Sequence, residues 1–145
     1  MRTVVFDLDE TVFKSETTLH DDVRDLLGII SRLGMRIGAL SNADHRVLVR
    51  LEEAGIRHHF SSVVCAAHIA EPKTVDGIMQ LIERLGSEPE HVVIVSHRTD
   101  DLMAGKEAGV AKTIYVVHGP VSAKHASRHA DHIVQNIATV LDVLE

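Results

Sequence analysis

Residues 3–11 read TVVFDLDET, an apolar run that ends abruptly in two carboxylates, Asp7 and Asp9, two positions apart. A short run rich in Val and Phe predicts a buried strand. Open α/β sheets bind ligands beyond the carboxyl ends of their strands, so a site is expected where this strand ends. Two neighbouring carboxylates repel each other unless a cation lies between them, which indicates a divalent metal. A strand followed by a solvated acidic turn is the simpler alternative.

The composition limits the class of protein. The 145 residues suit one domain with one core, and 45% hydrophobic with 25% charged residues is ordinary for a globular protein. Aromatic residues make up only 3% and Trp is absent, which disfavours surfaces that stack on bases. The formal charge of −6 also disfavours sequence-independent binding to nucleic acid, which needs a basic face. We therefore expect no nucleic-acid partner.

The cysteine content and the hydropathy pattern bear on the compartment. The one cysteine, Cys65, lies in the apolar run 63–66, where a buried, inert thiol in a reducing compartment is expected. The sequence starts directly with a strand and shows no signal-peptide pattern. Its apolar runs are all far shorter than the roughly 20 residues that span a bilayer. We expect a cytoplasmic protein that does not contact membranes.

Helical periodicity alternates with short apolar runs along the chain. Helices are predicted within residues 23–33, 47–54, 74–85, 102–108 and 137–144, and the first four each end at a glycine. Strands are predicted at residues 3–7, 36–40, 62–66, 92–95 and 113–117. Apolar strands that alternate with helices predict a parallel sheet covered on both faces. The expected fold is one three-layer, Rossmann-like α/β domain over residues 1–145, with five parallel strands.

Four polar segments should meet at one edge of this sheet, because right-handed crossovers bring the carboxyl ends of all strands together. They contain Asp7 and Asp9, Ser41 and Asn42, Lys73, and residues 97–101. In order and spacing, VFDLDET (5–11), LSN (40–42), EPK (71–73) and residues 92–109 resemble motifs I to IV of the haloacid dehalogenase (HAD) superfamily. Residues 130–134 and the final helix are similar to the tail of its phosphoglycolate-phosphatase-like members.

The resemblance implies a role for each matching residue. Asp7 would be the nucleophile that takes a phosphoryl group, and Asp9 would protonate the leaving oxygen and then activate water. Lys73 would neutralise negative charge during catalysis and, with Thr11, Ser41 and Asn42, bind the phosphoryl group. Ser41 could instead be a helix cap and Lys73 a solvated surface residue.

The match breaks at the fourth motif. The superfamily usually has Gly-Asp-x-x-x-Asp there, and its first acid is a direct Mg²⁺ ligand. This chain has Ser96-His97 in place of Gly-Asp, while Asp101 matches the second acid and Asp100 precedes it. Neutral imidazole is a poor substitute for an oxygen ligand of Mg²⁺.

Three consequences of this departure stay open. Asp100 or Asp101 could reach the metal, His97 could bind Mn²⁺ or Co²⁺ in place of Mg²⁺, or metal binding could be lost. We assign Asp7 and Asp9 to the metal together with these three residues, and we favour retained activity. If the metal is lost, Arg98 could partly replace the missing cation at a phosphate, or it could be a surface residue.

The other histidines are less informative. His125, His129 and His132 have a metal-ligand spacing if their segment is helical, but a solvated, partly helical face is expected there. His58 and His59 are expected in a polar turn.

Substrate choice in the superfamily usually comes from cap domains, and the intervals after motif I and between motifs II and III are too short to hold one. An open site suits macromolecular phosphoesters or an oligomer that covers it, and the acidic charge favours a small phosphorylated metabolite. We predict a divalent-metal-dependent phosphomonoester hydrolase. The alternatives are a non-catalytic module that binds a phosphorylated ligand or a protein, and a phosphotransferase.

Overall fold

The computed structural model describes residues 2–118 and 128–144. Six parallel strands form one sheet: β1 (Thr3–Asp7), β2 (Arg36–Leu40), β3 (Ser62–Val64), β4 (Val92–Ser96), β5 (Lys112–Val116) and β6 (His132–Val134). Their order across the sheet is β3-β2-β1-β4-β5-β6. The later strands therefore lie on both sides of β1, and the carboxyl end of β1 is at the point where a doubly wound sheet binds ligands.

Four α-helices connect the strands: α1 (Val23–Arg32), α2 (Arg46–Glu53), α3 (Val75–Arg84) and α4 (Thr99–Ala108). α1 and α2 pack on one face of the sheet, and α3 and α4 pack on the other. Alternate residues of β1 serve the two faces, since Val4 and Phe6 lie in the first core and Val5 in the second. The predicted three-layer α/β fold is confirmed.

Local signals account for the ends of the helices. Thr74 caps α3 by accepting a hydrogen bond from the Gly77 N–H at 3.2 Å. Each helix is followed by a glycine whose φ lies between 63° and 89°, the left-handed conformation that reverses a helix into a strand. These four glycines are the predicted helix ends.

The prediction of five strands was wrong by one. β6 has the burial pattern of an edge strand, with only Val134 buried, so its three residues do not form the apolar run that marks the others. Backbone pairing with β5 places it, and the carboxylate of Asp131 adds to this pairing by accepting a hydrogen bond from the Thr113 N–H at 2.9 Å. β3 ends at Val64, two residues earlier than predicted.

The end of the chain differs from its prediction in two ways. Residues 137–144 were predicted as a helix, and Ile137–Val143 form a 3₁₀ helix that Asn136 caps. The partly helical face proposed for the histidines is also wrong where the structure describes it, because His129 lies in a turn and His132 in β6. His125 lies outside the described residues.

The intervals that hold cap domains in the superfamily hold none here. Residues 8–22 connect β1 to α1 without a helix, and the interval from β2 to α3 contains only α2, a 3₁₀ turn at Arg57–His59 and β3. Within residues 2–118 and 128–144, no helix has the length and apolarity to cross a bilayer. Cys65 is buried, as predicted.

Candidate active site

The site forms where the three central strands end side by side. Asp7 is the last residue of β1, Ser41 follows β2, and Ser96 is the last residue of β4. The parallel register pairs Phe6 with both Ala39 and Val95, so the residues that follow meet at the same height. Asp7, Ser41 and Ser96 are each buried, although their side chains are polar. Buried polar groups need partners, and these side chains find them in one another and in the loops around them.

Lys73 lies among three carboxylates. Its Nζ is 2.5 Å from Asp7 Oδ1, 3.0 Å from Asp9 Oδ2 and 3.9 Å from Asp101 Oδ2, and its side chain is 5% exposed. Burial by itself lowers the pKa of this ammonium, but the charges of the carboxylates outweigh burial and raise the pKa above its ordinary value. Lys73 is therefore a buried, permanent cation at the end of β1.

Asp7 is held at both of its carboxylate oxygens. Oδ1 accepts the Asp9 N–H at 3.1 Å besides its contact with Lys73, and Oδ2 accepts the Thr11 hydroxyl at 2.9 Å. Burial acts to raise the pKa of the Asp7 carboxyl, but the hydrogen bond with His97 and the charge and hydrogen bond of Lys73 lower it more. The net pKa lies below its usual range, so Asp7 is a carboxylate at neutral pH.

His97 contacts the same oxygen of Asp7 that Thr11 contacts. Its Nδ1 lies 2.7 Å from Thr11 Oγ1 and 3.3 Å from Asp7 Oδ2, and its backbone N–H donates to Thr11 Oγ1 at 3.0 Å. On the other side of the ring, Nε2 lies 3.3 Å from Oε2 of Glu10, whose side chain is exposed. His97 is thus part of the site, and both of its ring nitrogens lie beside oxygen atoms of residues 7–11.

Ser41 and Asn42 hold Asp9. The Ser41 hydroxyl donates to Asp9 Oδ1 at 2.7 Å, and the Asn42 N–H donates to Asp9 Oδ2 at 2.8 Å. Both residues were predicted to bind the phosphoryl group, and that role stays a prediction. In this structure their donors orient the second carboxylate. Ser41 Oγ also accepts the Ala43 N–H at 3.0 Å, within the turn that follows β2. The alternative of a helix cap at Ser41 was wrong, because the N-cap of α2 is His45, whose side chain makes no capping hydrogen bond.

Asp101 and Asp100 lie in different surroundings although they are neighbours on α4. Asp101 is buried and accepts the Ser96 hydroxyl at 2.8 Å. Burial and the nearby charge of Asp7 raise the pKa of the Asp101 carboxyl, against the opposing effect of Lys73. Asp100 points outward, with an exposed side chain 3.8 Å from the guanidinium of Arg98. The structure thus brings Asp101 into the site and leaves Asp100 at its rim.

Three residues of the site had no predicted role. Ser96 lies between the acids, with its Oγ 3.2 Å from Asp7 Oδ2 as well as bonded to Asp101, and its place at a strand end was the only signal for it. His20 and His118 stack with ring centroids 3.7 Å apart. Their Nε2 atoms lie 2.8 Å from Glu10 O and 3.2 Å from Thr11 O. No sequence pattern links two histidines so far apart in the chain.

The site opens into a shallow cleft of about 430 Å³. Asn42, Lys73, Thr74 and Arg98 line it together with acids that include Glu71 and Asp100. Its walls are mostly polar, and the side chain of Arg98 in its wall is half-exposed. Lys73 and Asp101 form the part of the cleft that lies nearest to Asp7, which is itself buried.

The donors around Asp7 do not fit Mg²⁺, which takes about six oxygen ligands in a tight octahedron. Asp7 Oδ2 already contacts three side chains, and Asp9 and Asp101 face the ammonium of Lys73. The part of the chain that the structure describes has no group of three His, Cys, Asp or Glu side chains arranged to hold a metal ion. The assignment of five metal ligands, with Mg²⁺, Mn²⁺ or Co²⁺ between them, stays a prediction that this donor set does not support.

The chain belongs to the haloacid dehalogenase-like hydrolase family, whose profile matches residues 4–116. This agrees with a carboxylate pair and a lysine at the end of the central strand. The same fold occurs in a HAD phosphatase from Thermococcus onnurineus, with a TM-score of 0.86 at 14% identity over 99% of this chain and 98% of that one. A HAD-superfamily hydrolase of subfamily IA from Geobacter sulfurreducens has a TM-score of 0.82 at 13% identity, covering 100% of this chain and 97% of that one.

Curated relatives have named activities. The phosphoglycolate phosphatase of Chromobacterium violaceum is 30% identical over 131 residues, which are 89% of this chain and 58% of the relative. The pyrophosphatase PpaX of Oceanobacillus iheyensis is 25% identical over 130 residues, which are 88% of this chain and 60% of the relative. The chain therefore spans about three fifths of the length of these two proteins.

Proposed function

We propose that this chain hydrolyses phosphate monoesters through a phosphoryl group carried on Asp7. The observation that supports this most directly is the contact between Asp7 Oδ1 and Lys73 Nζ, 2.5 Å apart at the end of the central strand. A carboxylate with a lowered pKa is ionised and ready to attack, and an adjacent buried cation offsets the charge that gathers when a phosphate approaches. Family membership and the names of the relatives point to the same chemistry.

The first step would transfer the phosphoryl group to the protein. An Asp7 oxygen attacks phosphorus, the bond from phosphorus to the ester oxygen breaks, and the leaving oxygen takes a proton from Asp9. Asp9 suits this role because its side chain is 29% exposed at the mouth of the site, while Asp7 is 1% exposed. The donors from Ser41 and Asn42 keep the Asp9 carboxyl in position for the transfer.

The second step would release phosphate. Asp9, now a carboxylate, takes a proton from a water molecule whose oxygen attacks the same phosphorus, and the bond between phosphorus and Asp7 breaks. The ammonium of Lys73 lies beside both carboxylates and stabilises the negative charge in each step. Because the donor set does not fit Mg²⁺, both steps use only the chain's own groups.

The substrate we propose is a small phosphorylated metabolite. The cleft is polar and small, the chain carries a net charge of −6, and Arg98 at the rim can pair with an anionic group of a ligand. Phosphoglycolate and inorganic pyrophosphate are the first compounds to try, because relatives are named for acting on them. A second copy of the chain that covers the open site, and a cytoplasmic location, are part of the same proposal.

The decisive experiment is hydrolysis of an aryl phosphate by the wild type, by Asp7→Asn and by Asp21→Asn as an exposed control. Each is assayed in EDTA and with Mg²⁺, Mn²⁺ or Co²⁺. Turnover that Asp7→Asn abolishes and Asp21→Asn retains supports the proposal. A folded wild type that hydrolyses no phosphoester under any of these conditions would overturn it, and would favour the non-catalytic binding module that His97 suggests. Turnover that needs an alcohol acceptor would identify a phosphotransferase.

A further inference from the structure

The side of Asp7 on which a cation would bind is filled by protein groups. Asp7 Oδ1 faces Lys73, and Asp7 Oδ2 faces Thr11, Ser96 and His97 at 2.9, 3.2 and 3.3 Å. By resemblance, the position of His97 is that of an acid that ligates Mg²⁺. A ring nitrogen therefore lies where the chain would need a carboxylate oxygen.

The hydrogen atoms of this network determine which form of the His97 ring fits. The hydroxyl of Thr11 accepts the His97 backbone N–H, and its single hydrogen can go to one of two other neighbours, Asp7 Oδ2 or His97 Nδ1. If Thr11 donated to the ring, its oxygen would face the Asp7 carboxylate with no hydrogen between them. If Thr11 donates to Asp7, the ring donates from Nδ1 to Thr11 and every contact is satisfied. An Nδ1 that carries hydrogen has no lone pair for a metal ion.

The surroundings of Asp101 lead to the same result. This acid could supply the missing oxygen ligand, but it is bonded to the Ser96 hydroxyl and lies 3.9 Å from the ammonium of Lys73. Asp100 is exposed beside Arg98 and lies outside the network. The Ser96 hydroxyl therefore lies between the Asp101 carboxylate and Asp7 Oδ2, and Asp100 contacts Arg98 instead.

We propose that His97 is a positioning residue that occupies the cation side of Asp7, so that the wild type does not bind Mg²⁺ at this site. It holds Asp7 Oδ2 and Thr11 through its Nδ1–H and leaves Oδ1 to face Lys73 and the substrate. The inference rests on the proposed function for its catalytic meaning. It deepens that function, because the His97 side chain takes the place that the metal has in the superfamily. It follows that a single substitution, His97→Asp, creates a Mg²⁺ site.

Calorimetric titration with MgCl₂ tests the inference without any assay of turnover. The wild type, His97→Asp, Asp100→Asn and the double variant His97→Asp/Asp100→Asn are compared. We expect no saturable Mg²⁺ binding by the wild type or by Asp100→Asn. His97→Asp should bind Mg²⁺ at least about tenfold more tightly than the wild type, and this affinity should not change when Asp100 is also replaced. Binding of Mg²⁺ by the wild type would overturn the inference, and its loss in Asp100→Asn would identify Asp100 as the ligand. Absence of binding by His97→Asp would show that His97 is not the residue that excludes the ion.

Two further readouts keep the inference testable if His97→Asp does not fold. Long-range ¹H–¹⁵N spectra of the wild type report which ring nitrogen of His97 carries hydrogen. The proton is expected on Nδ1, and a spectrum that shifts on adding MgCl₂ would contradict the proposal. Hydrolysis in EDTA separates the two proposals: a wild type that turns over only with Mg²⁺ refutes the role of His97 and leaves the hydrolase standing. A chain that binds no Mg²⁺ and has no turnover refutes the hydrolase alone.

Discussion

The hydroxyl of Ser41 donates a hydrogen bond of 2.7 Å to Asp9 Oδ1, so the residue after β2 orients the acid that follows β1. Ser41 is fully buried, and Asp9 is the more exposed member of the carboxylate pair. A buried donor thus fixes the position of the carboxylate that, in the proposed mechanism, transfers protons at the mouth of the site. Ser41 and Asn42, which the sequence assigned to the phosphoryl group, bond in this structure to Asp9, the acid of the proposed mechanism.

Replacement of Ser41 by alanine should therefore slow catalysis more than it weakens binding. A hydrogen bond to a charged group contributes about 1.5–3 kcal/mol, which corresponds to a loss of roughly tenfold to one hundredfold in kcat. Steady-state kinetics with an aryl phosphate measures the effect. Ser61→Ala, at an exposed serine before β3, is the matched control and should leave kcat unchanged. A rise in KM alone would instead assign Ser41 to substrate binding.

Replacement of Lys73 by methionine should destabilise the fold at pH 7. The change leaves Asp7 and Asp9 without their buried cation, and breaking such a pair costs about 3–5 kcal/mol. The raised pKa of Lys73 means that its contribution is fully present below the pKa of an unfolded lysine and is lost only as the pH rises through the folded pKa. Urea unfolding at pH 7 measures how much free energy of unfolding Lys73→Met loses.

The loss should shrink on acidification, because without Lys73 the carboxylates take up protons more readily and lose their repulsion. Lys106→Met is the control, since Lys106 pairs with Asp131 at 3.0 Å between half-exposed side chains and should contribute about 0–1 kcal/mol. Equal effects of the two substitutions would contradict the prediction.

Two glycine substitutions should have opposite effects. A Cβ at Gly77 would overlap the backbone carbonyl of Pro72, the residue before Lys73. We expect Gly77→Ala to lower the free energy of unfolding by at least about 1–3 kcal/mol and to reduce turnover by displacing Lys73. At Gly28, the nearest atom to a new Cβ is the Arg32 guanidinium at 3.9 Å, so Gly28→Ala should stabilise α1 by about 0.5–1 kcal/mol. Thermal unfolding measures the stability of both variants. A stable, active Gly77→Ala would refute the close packing of Gly77 against Pro72.

The stability that Asp131 provides should depend on pH. Partial burial raises the pKa of this carboxyl, but hydrogen bonds from the Thr113 N–H and from Lys106 lower it more, to a net value below its ordinary 3.8. A lowered pKa stabilises the fold above the unfolded value, and that stability is lost as the pH falls through the folded pKa. Asp131→Asn should cost under about 1 kcal/mol at pH 7, because the group is half-exposed. The difference in the free energy of unfolding between Asp131→Asn and the wild type, measured with urea, should disappear below pH 3.8. Asp142→Asn, at an exposed acid, is the control, and a gap that does not change with pH would contradict the role of Asp131 in docking β6.

The fold and the main site residues could be predicted because their signals are local. The apolar run before Asp7, the cap at Thr74 and the glycine after each helix each depend on neighbours in sequence. Parallel strands connected by right-handed crossovers then bring Ser41 and Lys73 to the edge that Asp7 occupies. β6 escaped prediction because it has three residues, of which only Val134 is buried; its backbone pairing with β5 and the hydrogen bond that Asp131 accepts from Thr113 are tertiary contacts.

By itself, the sequence determined the three-layer α/β fold and placed Asp7, Asp9 and Lys73 at one edge of the sheet, because strand and helix periods and crossover handedness follow from local chemistry. Only the tertiary structure decided what each polar group bonds to. Ser41 bonds to Asp9, Ser96 bridges Asp7 and Asp101, and the His97 ring lies against Asp7 Oδ2. These contacts depend on distances between residues that are far apart in sequence. The physical reason is that a hydrogen bond requires its two atoms within about 3 Å, a condition that packing sets and residue spacing does not.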